Sequence, residues 1–448
     1  MSRENILKEL SENRSCRKIG YRYLSQKDNS KSQKFIPDLG DCMQVKNIYI
    51  MRHSFLKLKG RILALSSIAH FINDGSAYSY AVIYPYFVTN YNFSYLDITV
   101  VSVTYLSFSA LSSLVVGRMA DKSGRISQLL SLGIGLWGAA MLLLAFSVYF
   151  SHLGFLFLIT SAIIGGIASA FYHPLGAALI SRNFDVDKGT ALGINGAMGA
   201  LGRSTYPLLL PSLTYFATGM YLLSFPPFAI AFALPMLVKD TSYIKSNSQR
   251  RRVKFDKKLL KLMTLLVGIA LIKGALPQGF ITFLPTFLIK EAGLKYGFDI
   301  GLLTSLALIG SVISQPLLGK LSDSLGRMKT MMISTALGGI TVILYVYLYQ
   351  FILAEYILLF SFGLFAFEAF TLLLSYVSDL IPEDYVSTAN SIVWGIGITA
   401  GGALGPAMVG IIASFYNILS AYLWLGLVDL VSLSFIILAD RFKVTTSI

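Results

Sequence analysis

Seven ionisable side chains lie inside long apolar runs of this sequence: His70, Asp74, His173, Arg203, Lys273, Glu368 and Asp429. A charge at the centre of a bilayer costs about 2.5–3.5 kcal/mol on insertion scales, so such residues are candidates for ion or substrate chemistry. At ~1.5 Å per helical residue, Asp74 lies about 20 Å from the start of its run, and Arg203, Lys273 and Glu368 fall at similar depth. How tightly a carboxyl group holds its proton depends on how close a cation lies. A motion that changes the distance from Asp74 to Lys273 or Arg203 would therefore couple protons to that motion. Asp74 is the first candidate for this role and Glu368 the second. His70 precedes Asp74 by four residues and shares its helix face. His173 titrates near neutrality and is a further relay candidate. It precedes Pro174, which frees a backbone carbonyl, and an imidazole packed on that carbonyl is the alternative reading.

Arg203 and Lys273 are the candidate substrate ligands, with Asn73 and Tyr78 beside them. A guanidinium grips a carboxylate or phosphate through two parallel hydrogen bonds, whereas an ammonium acts as a point charge. Either cation could instead neutralise the two acids. Tyr78, Tyr80, Tyr84 and Tyr86 could line a substrate path, with Tyr84 and Tyr86 alternatively interface anchors. Asp429 is expected to be structural.

The elements that must position these residues follow from composition. Of 448 residues, 55% are apolar and 13% charged, and mean hydropathy is +0.66. Ordinary globular chains carry about 25% charged residues, so a soluble enzyme and a disordered chain are both excluded. Twelve apolar runs between residues 61 and 439 are long enough to cross a bilayer, which takes ~20 helical residues. Exposed backbone cannot face lipid, so the spans are helices.

The net charge of +14 is a matter of placement. Of 37 Lys and Arg, 33 fall in segments on one side of a twelve-span arrangement, while Lys290 and Lys295 fall on the other. Positive residues gather in the cytoplasm, so both termini and the central loop are expected there, and nucleic acid is not an expected partner. Residues 1–60 read as a poorly ordered basic tail, 61–238 as one six-helix half, 239–260 as a basic linker, 261–440 as a second half, and 441–448 as a short tail. Cys16 and Cys42 show no metal-ligand or disulfide spacing. No signal peptide is read before the first span, and Met51 is an alternative start.

The chain repeats itself. Leu284-Pro285-Thr286-Phe287 echoes Tyr84-Pro85-Tyr86-Phe87, two hundred residues on. Gly117, Asp121, Gly124 and Arg125 recur as Gly319, Asp323, Gly326 and Arg327. A Gly-rich run with Gly193, Gly196, Gly199 and Gly202 corresponds to one from Gly395 to Gly405, and the first is expected to pack on helices of the other half. The duplicated G-x-x-[AS]-D-x-x-G-R pattern resembles the signature of the major facilitator superfamily of secondary transporters, over about residues 60–440. Three stretches resemble its fosmidomycin-resistance subfamily: His70-Phe-Ile-Asn73-Asp74, Phe171-Tyr172-His173-Pro174, and the Gly-rich run leading to Tyr206-Pro207. Two departures stand out. The fourth span lacks the arginine of many drug exporters, and Leu175, not an acid, follows Pro174.

The resemblance implies an all-α fold of twelve transmembrane helices in two pseudo-symmetric six-helix halves. It also implies a gate at the duplicated motif. Asp121 would cap a facing helix N-terminus, braced by Arg125; Gly117 and Gly319 would let a helix approach, and Asp323 would be the weaker echo. The expected function is proton-coupled transport of a small organic solute by alternating access across the cell membrane, with drug-resistance-like antiport favoured. Uptake of an organic anion is the alternative, and a non-transporting membrane sensor the reading from another class. The protein is expected to be a monomer, in contact with lipid, with no enzyme activity, cofactor or metal.

Overall fold

A backbone that crosses lipid must satisfy its own hydrogen bonds, and the described chain does so with helices throughout. The computed structural model describes residues 39–123, 125–184, 188–212, 216–238, 257–367, 372–381, 389–390 and 392–441, with side-chain detail from Leu58. In order, the helices are α1 (Leu39–Tyr91), α2 (Tyr95–Ser123), α3 (Ile126–Tyr149), α4 (Gly154–Asn183), α5 (Lys188–Ser212), α6 (Phe216–Leu223) and α7 (Phe225–Leu237). They continue as α8 (Lys257–Lys290), α9 (Phe298–Leu325), α10 (Arg327–Leu348), α11 (Ile352–Phe365), α12 (Leu372–Leu380), a π turn (Val393–Ile398), α13 (Thr399–Phe415) and α14 (Ile418–Arg441). No strand occurs among the described residues. The segment Met1–Ile62 and the segment Leu63–Ile448 are separate units, and the site described below lies wholly in the second.

Among the described residues, eight helical stretches are long and apolar enough to span a membrane. A ninth is α9, bent by 45° between Ser314 and Pro316, where proline removes a backbone hydrogen bond. α1 and α5 fall outside that set although both are long. They carry the polar residues of the site on buried faces, which lowers their hydropathy. The tenth apolar run is divided between α11 and α12, and the sixth between α6 and α7.

Glycines set the closest helix approaches. A side chain at Gly202 of α5 would collide with the Phe71 carbonyl of α1, and one at Gly199 would meet the His70 ring. The same relation recurs two hundred residues on, where Gly401 of α13 abuts the Leu271 carbonyl of α8. Gly199 and Gly202 therefore face α1, while the helix that carries them also packs along α9 of the other half. A side chain at Gly193 would meet nothing within 4 Å among the described residues. Close approach at Gly202 is what brings Arg203 to the α1 face that carries Asp74.

Other contacts tie α1, α2 and α5 to α8, α9 and α13 at the end remote from the basic loops. Tyr296, in the loop after α8, donates to the Val82 carbonyl at 2.9 Å. Burial, with Tyr86 nearby, pushes the Tyr296 phenol well above its ordinary range. Ser305 Oγ donates to the Ser204 carbonyl at 2.5 Å, and Gly301 lies against the Pro207 and Leu208 carbonyls. Thr99 of α2 packs on Gly410 of α13.

Candidate functional site

Asp74 is the centre of the polar cluster in α1. His70, one turn earlier, places Nε2 3.5 Å from Asp74 Oδ2. His173 of α4 places Nε2 3.7 Å from Oδ1. Arg203 of α5 brings Nε to 3.6 Å from Oδ2. Asn73 Nδ2 donates to Oδ1 at 2.9 Å, and Asn73 Oδ1 accepts from Trp137 Nε1 at 2.7 Å. Asp74 and Arg203 are each 5% exposed. An unpaired carboxylate there would cost several kcal/mol, and three cationic or titratable neighbours compensate it.

His70 is held by a second ring of contacts. Its Nδ1 lies 2.8 Å from the Asn195 carbonyl and its ring stacks on Tyr172 at 4.4 Å. A carbonyl only accepts, so Nδ1 carries a proton and Nε2 is left facing Asp74. Asn195 Nδ2 donates to Tyr172 Oη at 2.7 Å, and Tyr172 Oη donates to the Ser66 carbonyl at 2.7 Å. Neither Asn195 nor Tyr172 was singled out for chemistry from the sequence. An isolated Asn in a Gly-rich apolar run was the available signal.

His173 faces Asp74, not a carbonyl freed by Pro174. Its side chain is 41% exposed, against 7% for Asp74 and 6% for Arg203. Lys273 departs from the expected meeting of mid-depth charges. Its Nζ donates to both carboxylate oxygens of Asp429, at 2.9 and 3.2 Å, and the two side chains are 1% and 0% exposed. Helix α14 packs beside α8, where Tyr422 Oη also donates to the Phe280 carbonyl at 2.9 Å. That neighbour relation decides the pairing and is not readable from depth alone. Glu368 lies outside the described residues, although Phe367 before it lies under Arg203, with the guanidinium carbon 5.4 Å from the ring centroid.

These groups surround a cavity of about 150 Å³. Its walls come from α1, α2, α4 and α5 on one side, and from α8, Phe367, the π turn and α13 on the other. Tyr78 Oη accepts from Gln278 Nε2 at 3.2 Å, joining α1 to α8 across it. Tyr84 is buried on the wall and accepts from Ser102 Oγ at 3.0 Å. Tyr80, also buried there, donates to the Ser161 carbonyl at 2.8 Å. One ligand atom each from His70, Asp74 and His173 could hold a metal ion, all within 4.8 Å of one another. The Arg203 guanidinium already supplies positive charge at Asp74, so the arrangement favours an ion-pair cluster over a dication.

The gating residues divide. Gly124, the Asp121 side chain and the surroundings of Gly117 lie outside what is described, so the expected cap and its brace by Arg125 do too. Arg125 is exposed just before α3. In the second motif, a side chain at Gly319 would meet nothing within 4 Å among the described residues. Asp323 is exposed. Gly326 adopts φ +87° between α9 and α10, a conformation open to glycine at little cost. Arg327 Nη1 donates to the Ser375 carbonyl at 2.8 Å and lies 3.3 Å from Asp379, both on α12.

A chain of apolar helices around a cavity with paired charges on its wall fits a membrane transporter, and the comparisons agree. The family model of the Major Facilitator Superfamily matches residues 66–406 and again 296–446. The chain belongs to that superfamily, and it is a multi-pass membrane transporter of that type. No curated protein matches it. Among solved structures, it is similar to the nucleoside transporter NupG (TM-score 0.70, 14% identity, 84% of this chain and 99% of that one). It is also similar to the peptide transporter POT in complex with sulfate (0.69, 15%, 85% and 94%). A third is a bacterial homolog of the human lysosomal transporter Spinster, inward-facing and unoccupied (0.66, 13%, 86% and 96%). At these identities the likeness shows the fold.

Proposed function

We propose that the protein is a secondary transporter that moves a small organic solute by alternating access of two six-helix halves, coupled to protons through Asp74. The observation that carries this reading is one buried carboxylate shared by His70, His173 and Arg203 on a cavity wall. A proton on Asp74 removes the negative charge that holds α1, α4 and α5 together at mid-depth. Breaking one side of a buried ion pair costs about 3–5 kcal/mol, enough to bias a conformational equilibrium whose states differ by a few kcal/mol. Contacts at Tyr296, Gly301 and Ser305 close the end remote from the basic loops, which supports a state open toward the other side.

Export from the cytoplasm is the favoured direction, on the subfamily resemblance of the first, fourth and fifth spans. The charge pattern supports both termini in the cytoplasm, and the reading is completed by a monomer in the cell membrane. Uptake of an organic anion loses its main motive, because Lys273 is paired with Asp429 and Arg203 with Asp74. Replacing Asp74 with Asn should abolish proton-driven transport in vesicles while leaving substrate exchange measurable. A wild-type dependence on the proton gradient in D74N would overturn the assignment.

A further inference from the structure

We infer, on the basis of the transport reading, that the cavity takes a flat aromatic solute, uncharged when bound, against Tyr105 and Trp394. His173 and Gln278 would supply its hydrogen bonds. The charged groups on the wall face inward: Asp74 and Arg203 are 5% exposed and Lys273 1%. Each is matched, Asp74 by Arg203 and Lys273 by Asp429. A charged solute would have to be desolvated against cations and anions that already compensate one another. The wall groups that keep accessible surface are of another kind. His173 is exposed, and Tyr105, Gln278 and Trp394 are half-buried.

The winding of the chain at Trp394 points the same way. Val393–Ile398 is a π turn, and the Thr399 backbone N–H and Oγ1 both reach back to the Trp394 carbonyl, the latter at 3.1 Å. π turns are rare, weaken local hydrogen bonding and concentrate at functional sites. Here the turn sets Trp394 on the cavity wall while Gly397 stays packed against Ala270 of α8. The other two tryptophans are placed differently. Trp137 is fully buried and bonded to Asn73, and Trp424 is 57% exposed on the outer surface. On the same cavity, Tyr105 stands in an aromatic group with Tyr80, 5.4 Å away, and Trp137, 6.1 Å away. Two aromatic side chains lining one cavity, Tyr105 from α2 and Trp394 from the π turn, suit offset stacking on a planar ring.

The test uses purified full-length protein with indole, benzamide, benzoate, succinate and glucose as probes. Thermal stabilisation and tryptophan fluorescence are the readouts. Indole and benzamide should stabilise the protein. Benzamide should quench emission in the wild type and in Trp424→Phe, with most of the quenching lost in Trp394→Phe. Trp394→Ala and Tyr105→Ala should weaken binding by about tenfold or more, through lost stacking and buried area. Preference for succinate, benzoate or glucose would overturn the inference, as would indifference to both alanine variants or a panel without an aromatic hit. Aromatic binding without proton-driven transport would instead remove the transport reading alone. Asp74-dependent transport of an aliphatic solute would remove only the aromatic assignment.

Discussion

At the scale of residues, the molecule separates two kinds of buried charge. The Asp74 cluster shares one carboxylate among groups from three helices, and one of them, His173, is exposed to the cavity. The Lys273–Asp429 pair is sealed, with both carboxylate oxygens engaged. A sealed pair mainly serves packing specificity, and removing one partner costs more than removing both. Lys273→Met should therefore destabilise the purified protein by roughly 3–5 kcal/mol, and Lys273→Met with Asp429→Leu by much less. Thermal denaturation of the single and double variants measures this; equal loss in both would show that the charges themselves are required. The sequence marked every one of these residues as unusual. It did not pair them, because pairing depends on which helices are neighbours.

At the scale of elements, glycine and proline decide how closely helices meet. Gly202 on Phe71 and Gly401 on Leu271 are the same packing repeated in the two parts of the chain. A larger side chain there must push a backbone aside, since the collision is with a carbonyl and not with a flexible tip. Gly401→Leu should cost roughly 1–3 kcal/mol of stability by overpacking, while Gly193→Leu, where space is open, should cost little. Melting temperatures of the two variants test this, and similar losses would contradict the packing. The repeat was visible in sequence as recurring Gly runs. The partner was not: a Gly-rich face predicts close approach without saying to which helix. The π turn at Val393–Ile398 had no sequence signature, since its residues are compatible with ordinary α-helix.

At the scale of the whole molecule, alternating access requires contacts at one end to break as those at the other form. The Tyr296–Val82 bond belongs to the end closed here. Since its phenol is held well above the ordinary range, it stays a donor throughout neutral and mildly alkaline pH. Tyr296→Phe should shift the protein toward opening at that end. Asp121→Ala should shift it the opposite way, if its motif holds the basic-loop end together as the superfamily resemblance implies. Distance measurements between spin labels at each end would report both. Unaltered distances in Asp121→Ala would count against the gate, and in Tyr296→Phe against the latch. Sequence alone determined the helical class, the repeat, the superfamily and the residues that break the apolar pattern, because each is a matter of composition, period or spacing along the chain. Tertiary structure decided that Asp74 meets Arg203 and two histidines, that Lys273 meets Asp429, and that Trp394 faces a cavity. Those are contacts between segments far apart in sequence, and only the packing of helices brings them within a few ångströms.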